Sequence, residues 1–322
     1  MNRLRFVAKA LIHGAAELTG GPHRQRQQLR GSLIILTYHS FCTDWPSGLF
    51  ASLPIDRFER QIRFLRENFK VVTLEHGLNC IQQGQSGDKP WVAITIDDGF
   101  VDNYTHAWPV LQRYGVPAAI FVATDFIDTG RSPWPIQIVE ILDRTEALSM
   151  EFPFHADLRS HTARSAVLEK LKRVWAPLRP EERFSRLIEL RKYLRVDHSS
   201  QYLPLSWDQV RKMQGGGMTF GSHTVYHSMI SETDSRVTKE EILHSKQRIE
   251  EELHVPCNFF AYPDGGHNAK AADAVKSAGY LGGLTQNRGH NTILTNPFLL
   301  DRLEVPYHDP MATFRARVSA YI

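Results

Sequence analysis

From residue 31 onward the chain alternates short apolar runs with longer stretches whose apolar residues recur every three or four positions. That alternation predicts strands and amphipathic helices in succession, as in an α/β domain built on a mostly parallel sheet. Leu33 to Thr37 reads as a buried strand. Asp56, with Glu59 three positions on, has the form of a helix cap, and Phe58, Ile62, Leu65 and Phe69 share one face of the helix behind it. Val71 to Leu74 reads as a short strand. Trp91 to Ile96 is a longer one, and it stops at Asp97-Asp98-Gly99. A helix is expected as far as Tyr114, with Pro109 near its first turn and Gly115 as its stop, and Ala118 to Ala123 follows as a strand.

Between about residues 128 and 205 the texture changes to charged helical repeats such as Leu168, Leu171 and Val174, with no strand-like run, which reads as a helical insertion. The strand-helix rhythm then resumes. Ser206 and Gln209 form a capping box for a short helix that stops at Gly215-Gly216-Gly217, and a strand runs on to Gly221. The three glycines follow a helix instead of opening one after a strand, so they are no dinucleotide fingerprint. Thr238 and Glu241 are read as the cap of the next helix, Cys257 to Ala261 as a strand and Asn268 to Gly279 as a helix. Final strands are placed near Tyr280 to Leu284 and Leu300 to Val305. Strand-helix units that end in polar loops fit a (β/α) barrel, whose chemistry gathers at the strands' C-terminal ends.

Composition narrows the function classes. A chain of 322 residues, 42% hydrophobic and 23% charged, has room for one enzyme-sized core, and no uncharged apolar run reaches the roughly 18–20 residues of a membrane-spanning helix. The formal net charge of +3 is too small for the protein as a whole to bind a polyanion, and no nucleic-acid partner is expected. The excess is concentrated in residues 1–30, a basic N-terminal extension with Arg3, Arg5, Lys9, Arg24, Arg26 and Arg30 against Glu17. Lys9, His13 and Glu17 break up any apolar core of an export signal, so a cytoplasmic protein is expected. Leu4, Val7, Leu11, Ala15 and Leu18 have the spacing of one helical face, and residues 1–20 are a candidate for peripheral contact with the inner face of a membrane, beside the simpler reading of a helix packed on its own domain. Cys42, Cys80 and Cys257 have neither metal-type nor redox-type spacing and read as reduced structural thiols.

Two arrangements are left over after packing. Asp97 and Asp98 close an apolar strand, and neighbouring strand residues point to opposite faces unless the chain turns, which Gly99 permits. Two carboxylates so close repel, which favours a cation between them or a split in their pKa values; an ordinary Asp-Gly turn with solvated acids is the plain alternative. His223 and His227 follow a strand. Four residues apart on one helical turn, they would lie about 5–6 Å apart at Cβ, near enough for one metal ion. An aspartate and two histidines leave coordination positions open for water and substrate.

These residues resemble the motifs of a known family, the polysaccharide deacetylases of carbohydrate esterase family 4, which share the NodB homology domain. Thr95-Ile96-Asp97-Asp98-Gly99-Phe100 is similar to that family's T-F-D-D-G motif, and His223-Thr224-Val225-Tyr226-His227 to its H-[ST]-x-x-H motif. Leu36-Thr37-Tyr38-His39-Ser40 and Phe260-Ala261-Tyr262-Pro263-Asp264-Gly265 match in the family's order, so the resemblance covers about residues 35–305. It implies a distorted (β/α) barrel at residues 31–322 and removal of N-acetyl groups from the amino sugars of an exopolysaccharide or cell-surface glycan. By the same resemblance Asp97 would be the general base. Asp98, His223 and His227 would hold one divalent metal, zinc first, with cobalt, nickel or manganese as alternatives, and the backbone N–H of Asp264 would help hold the oxyanion. The family often carries a base-orienting arginine where Ala261 stands here; Arg302, on the last expected strand, would have to replace it from another direction. For the general acid the sequence offers His308 and leaves His39 as a pocket-lining histidine.

Trp45, Trp134 and Trp207 are candidates for stacking on sugar rings or for ordinary packing, and His244 and His254 read as solvated. Two other functions stay open at this level: a barrel that binds glycans without turnover, and an amidohydrolase of small amides.

Overall fold

The strands are buried on both faces, which dictates helices on each side of the sheet. A computed structural model describes residues 21–44, 48–50, 52–197 and 200–319. The N-terminal segment proposed for membrane contact, and Trp45, lie outside the described residues. Eight strands form one sheet: β1 Leu33–Tyr38, β2 Lys70–Val71, β3 Trp91–Ile96, β4 Ala119–Val122, β5 Thr219–Ser222, β6 Phe259–Ala261, β7 Gly282–Leu284 and β8 Leu303–Glu304. Their order is β7-β6-β5-β4-β3-β1-β8, with β2 beside β3, and every pairing is parallel. The sheet curls into a half-barrel. The gap between β7 and β8 is narrowed by single bridges from Leu284 to Leu300 and from Leu33 to Asn291.

Alternation sorts the side chains. Leu33, Ile35, Trp91, Ala93, Phe121 and Phe259 form one apolar cluster, plugged by Leu74, Leu78 and Ile81 of α2 (Leu74–Gln82). The opposite parity, including Ile34, Leu36, Ile94, Ile96 and Ile120, packs on the outer helices. These are α1 Ile55–Asn68, α3 Trp108–Tyr114, α7 Trp207–Gly215, α8 Ser235–Leu253 and α9 Ala269–Ser277, with α10 Met311–Val318 closing the chain against α1. A third core belongs to α4 Trp134–Arg144, α5 His161–Trp175 and α6 Pro180–Tyr193, where Trp134, Ile138, Leu171, Trp175 and Leu190 meet. This stretch also carries a two-stranded antiparallel ladder, Ser149–Met150 with Ala156–Asp157, that its helical texture conceals. Among the described residues no helix is long and apolar enough to cross a membrane, and the three cysteines are free.

Two expected caps are corrected. Helix α1 starts at Ile55 with Pro54 at its cap position, and Asp56 lies inside the first turn, paired with Arg60 at 2.7 Å. Helix α8 starts at Ser235, where Asp234 accepts from the N–H groups of Arg236 and Val237. Both errors have one cause. A capping pattern inside an already formed helix has no orphan N–H to satisfy, so its side chains take other partners. The capping box at Ser206 and Gln209 and the left-handed stop at Gly115 form as read.

Gly221 in β5 decides how closely the sheet packs. A Cβ there would lie 2.4 Å from Cε1 of Phe121 and 2.8 Å from the carbonyl oxygen of Phe259, both fixed in the interior. Gly221→Ala is therefore expected to destabilise the fold by about 1–3 kcal/mol, read as a lowered midpoint in urea or thermal unfolding.

Candidate metal and catalytic site

Parallel pairing aligns the C-terminal ends of the strands on one rim, and every candidate group except Arg302 follows such an end. Asp97 continues the inner-face parity of Ala93 and Thr95, so its side chain points into the curl of the sheet. Asp98 would point the other way if the strand continued. Instead Asp98 and Gly99 both take left-handed backbone angles, with φ of 71° and 66°, and the chain breaks off the sheet there. Glycine enters that conformation freely; aspartate is one of the few other residues that tolerates it. A Cβ at position 99 would also meet Val122 Cγ1 at 2.7 Å.

His223 and His227 do converge, but not on a helical turn. The segment after β5 is a coiled loop in which Thr224 and His227 have φ of 67° and 52°. The two rings stand edge to face with centroids 4.8 Å apart. Their Nε2 atoms lie 3.5 and 3.3 Å from the same carboxylate oxygen, Oδ1 of Asp98. Glu241 helps to hold the loop from inside α8, and not from the helix cap that its spacing from Thr238 predicts. Its Oε2 accepts from the N–H groups of Val225 (2.8 Å) and Tyr226 (3.1 Å), and its Oε1 accepts from the Ser228 hydroxyl at 2.6 Å. The carboxylate thus replaces the hydrogen bonds that a helix would have supplied. Trp134 adds a bond from its indole N–H to the His227 carbonyl at 3.2 Å; it is fully buried and unavailable for sugar stacking.

Arg302 supplies the missing guanidinium. Its Nη1 lies 2.9 Å from Oδ1 of Asp97 and its Nη2 lies 2.8 Å from Oδ2, while Nε donates to the Thr285 carbonyl at 2.7 Å. Both residues are buried, so this is no surface ion pair. Burial pushes the Asp97 carboxyl up, and the attraction of Arg302, then of His223, outweighs it and holds the group below the usual carboxylate range. Burial likewise opposes Asp98, and the imidazoles of His223 and His227, wherever their Nε2 atoms carry a proton, hold it well below that range. Each Asp97 oxygen keeps a second lone pair beyond the one facing Arg302.

The group opens onto a cavity of about 400 Å³. Asp98, His223 and His227 line it with His39, Asp264 and His308. One wall comes from the helical stretch through Pro133, Ile136, Val139, Leu168 and Lys172. Asp264 has a left-handed φ of 50°, and its carboxylate pairs with Lys172 at 3.2 Å. Trp207 donates to Asp128 beneath Arg248 instead of facing the cavity, and His244 and His254 are exposed.

The donor set suits a metal ion. His223 Nδ1 lies 2.8 Å from the Ala261 carbonyl, which can only accept, so that nitrogen carries the ring proton. In the neutral ring Nε2 then presents a lone pair to the Asp98 carboxylate. Two acceptors face each other there, with all the ligand atoms within 4.8 Å of one another, an arrangement that calls for a cation. Asp98, His223 and His227 are the residues that would hold it.

Two substitutions probe this framework. Arg302→Met leaves a buried carboxylate without its partner and is expected to cost about 3–5 kcal/mol in urea unfolding, most of it recovered in Arg302→Met/Asp97→Asn. Glu241→Gln turns an acceptor into a donor against the loop N–H groups; zinc affinity by competition titration is expected to fall about 10–100-fold in protein that remains folded.

Comparison with known proteins bears on the identity of the site. The sequence profile of the family described as "Polysaccharide deacetylase" matches residues 84–283. A protein of Bacillus subtilis (strain 168) named as a polysaccharide deacetylase, YxkH, is 22% identical over 274 residues, which is 85% of this chain and 71% of that one. In structure the chain is similar to the Streptococcus pyogenes deacetylase PplD in complex with acetate, with a TM-score of 0.63, 18% identity and coverage of 90% of this chain and 99% of the other. It is also similar to IcaB from Ammonifex degensii, with a TM-score of 0.58, 17% identity and coverage of 90% and 97%. With the family profile spanning well over half of the chain, this protein belongs to the polysaccharide deacetylase family, a hydrolase on the half-barrel fold of the NodB homology domain.

Proposed function

We propose that the protein removes N-acetyl groups from the amino sugars of an exopolysaccharide or cell-surface glycan, with one divalent metal held by Asp98, His223 and His227. The observation that carries this reading is the meeting of those three donors on the lining of a cavity, next to a buried aspartate paired with Arg302, in a chain of this family. Two imidazoles and a carboxylate suit zinc first, with cobalt, nickel or manganese as alternatives. When bound, the ion polarises the acetyl carbonyl and lowers the pKa of water.

The chain's own residues do the rest. Asp97 takes a proton from the attacking water through a lone pair not engaged by Arg302, and Arg302 keeps the carboxylate ionised and aimed. As the new carbon–oxygen bond forms, the backbone N–H of Asp264 donates to the oxygen that gains charge. The carbon–nitrogen bond then breaks and the leaving amine needs a proton. His39 and His308 both line the cavity and are the two histidines placed to supply it.

Asp97→Asn is expected to lower acetate release from N-acetylated oligosaccharides at least about a hundredfold while metal binding is retained; unchanged turnover would remove Asp97 from the role of base. Metal-stripped enzyme is expected to be inactive and to recover with zinc. Turnover of small amides but not of glycans would favour the amidohydrolase reading, and tight glycan binding without acetate release would favour a binding protein.

A further inference from the structure

Three segments far apart in sequence assemble one basic face. Residues 21–30, helix α1 with Phe69 and Lys70, and residues 309–319 pack together around Phe64. Arg26 lies over the Phe64 ring at 5.7 Å and Arg315 at 5.3 Å, Phe314 meets the ring edge to face at 6.2 Å, and Arg26 donates to the Ser319 hydroxyl at 3.0 Å. Two like charges on one ring are not what packing requires, since apolar side chains would cover Phe64 without repulsion.

Together these segments carry ten basic and four acidic side chains. Three of the acids are neutralised in place: Asp56 pairs with Arg60, Glu59 with Arg113, and Asp309 with Arg317. Arg24, Arg30, Arg60, Arg63, Arg66 and Lys70 are exposed. The face therefore has a net charge of +6 in a chain whose total is +3. Apart from this face and residues 1–20, which are themselves +2, the protein is −5. Such asymmetry orients a molecule toward an extended negative surface, because the remaining faces are repelled from it.

We infer that this face docks on a membrane surface rich in anionic lipid headgroups. Continuity with the first 20 residues favours a bilayer over a soluble polyanion. Their sequence has basic residues and the apolar spacing Leu4, Val7, Leu11, Ala15, Leu18, and it immediately precedes Gly21 in the chain. A polyanion in solution would have no use for that apolar spacing. The face also adjoins the cavity: Arg57 of α1 donates to the carbonyls of Tyr307 (2.8 Å) and Asp309 (3.1 Å), next to the rim residue His308. Docking would hold the cavity near the bilayer. This inference stands apart from the deacetylase reading, since it concerns other residues and is measured without turnover.

The test is co-sedimentation of the full chain with vesicles of phosphatidylcholine alone or mixed with phosphatidylglycerol. Binding is expected only to the mixed vesicles, and is expected to weaken steeply as salt is raised. Arg63→Glu/Arg66→Glu, at two exposed positions of α1, is expected to weaken it at least about tenfold, and the milder Arg63→Gln/Arg66→Gln less, with unfolding midpoints near the wild type's. Failure to bind, equal binding to both vesicle types, wild-type binding by both variants, or full displacement by soluble heparin at matched charge would each overturn the inference.

Discussion

The buried pair of Asp97 and Arg302 is the interaction on which the site rests. Moving two charges out of water costs several kcal/mol for each ion, and only close geometry with further hydrogen bonds offsets that cost. Both conditions are met here: the guanidinium faces both carboxylate oxygens, and its remaining nitrogen is taken by the Thr285 carbonyl. The pair also ties together two parts of the sheet, β3 and the segment leading into β8. Without the guanidinium, burial alone would drive the Asp97 carboxyl upward and leave it a poor proton acceptor at neutral pH.

Much of the fold was legible because its signals are local. The apolar runs of β1 and β3, the 3.6-residue periodicity of α1, the capping box at Ser206 and the glycine stop at 115 each depend on side chains near one another in sequence. The two displaced caps mark where local signals stop. Thr238 and Glu241 have the right letters at the right spacing, but only the tertiary fold shows that the helix begins four residues earlier and that Glu241 is spent on another segment.

The site divides along the same line. Which carboxylates and imidazoles gather could be read from motif order, and Arg302 could be named as a substitute for Ala261. How the imidazoles gather could not. A helical turn is the simplest local way to bring residues 223 and 227 together; the actual loop is held by a distant carboxylate and a distant indole, together with backbone bonds from Thr124 and Asp125. Lys172 was equally invisible, since nothing near it in sequence announces that it meets Asp264. The helices between residues 134 and 193 are therefore more than an appendage. They supply one wall of the cavity and one of the bonds that fix the histidine loop.

The source of Arg302 has a consequence for what counts as a complete module. The family profile ends at residue 283, before the segment that spans the gap to β8. A fragment cut at that limit would keep both histidines and both aspartates, yet its proton acceptor would sit dehydrated with no counter-ion. A boundary drawn at residue 283 would therefore divide the Asp97 carboxylate from the guanidinium that keeps it ionised.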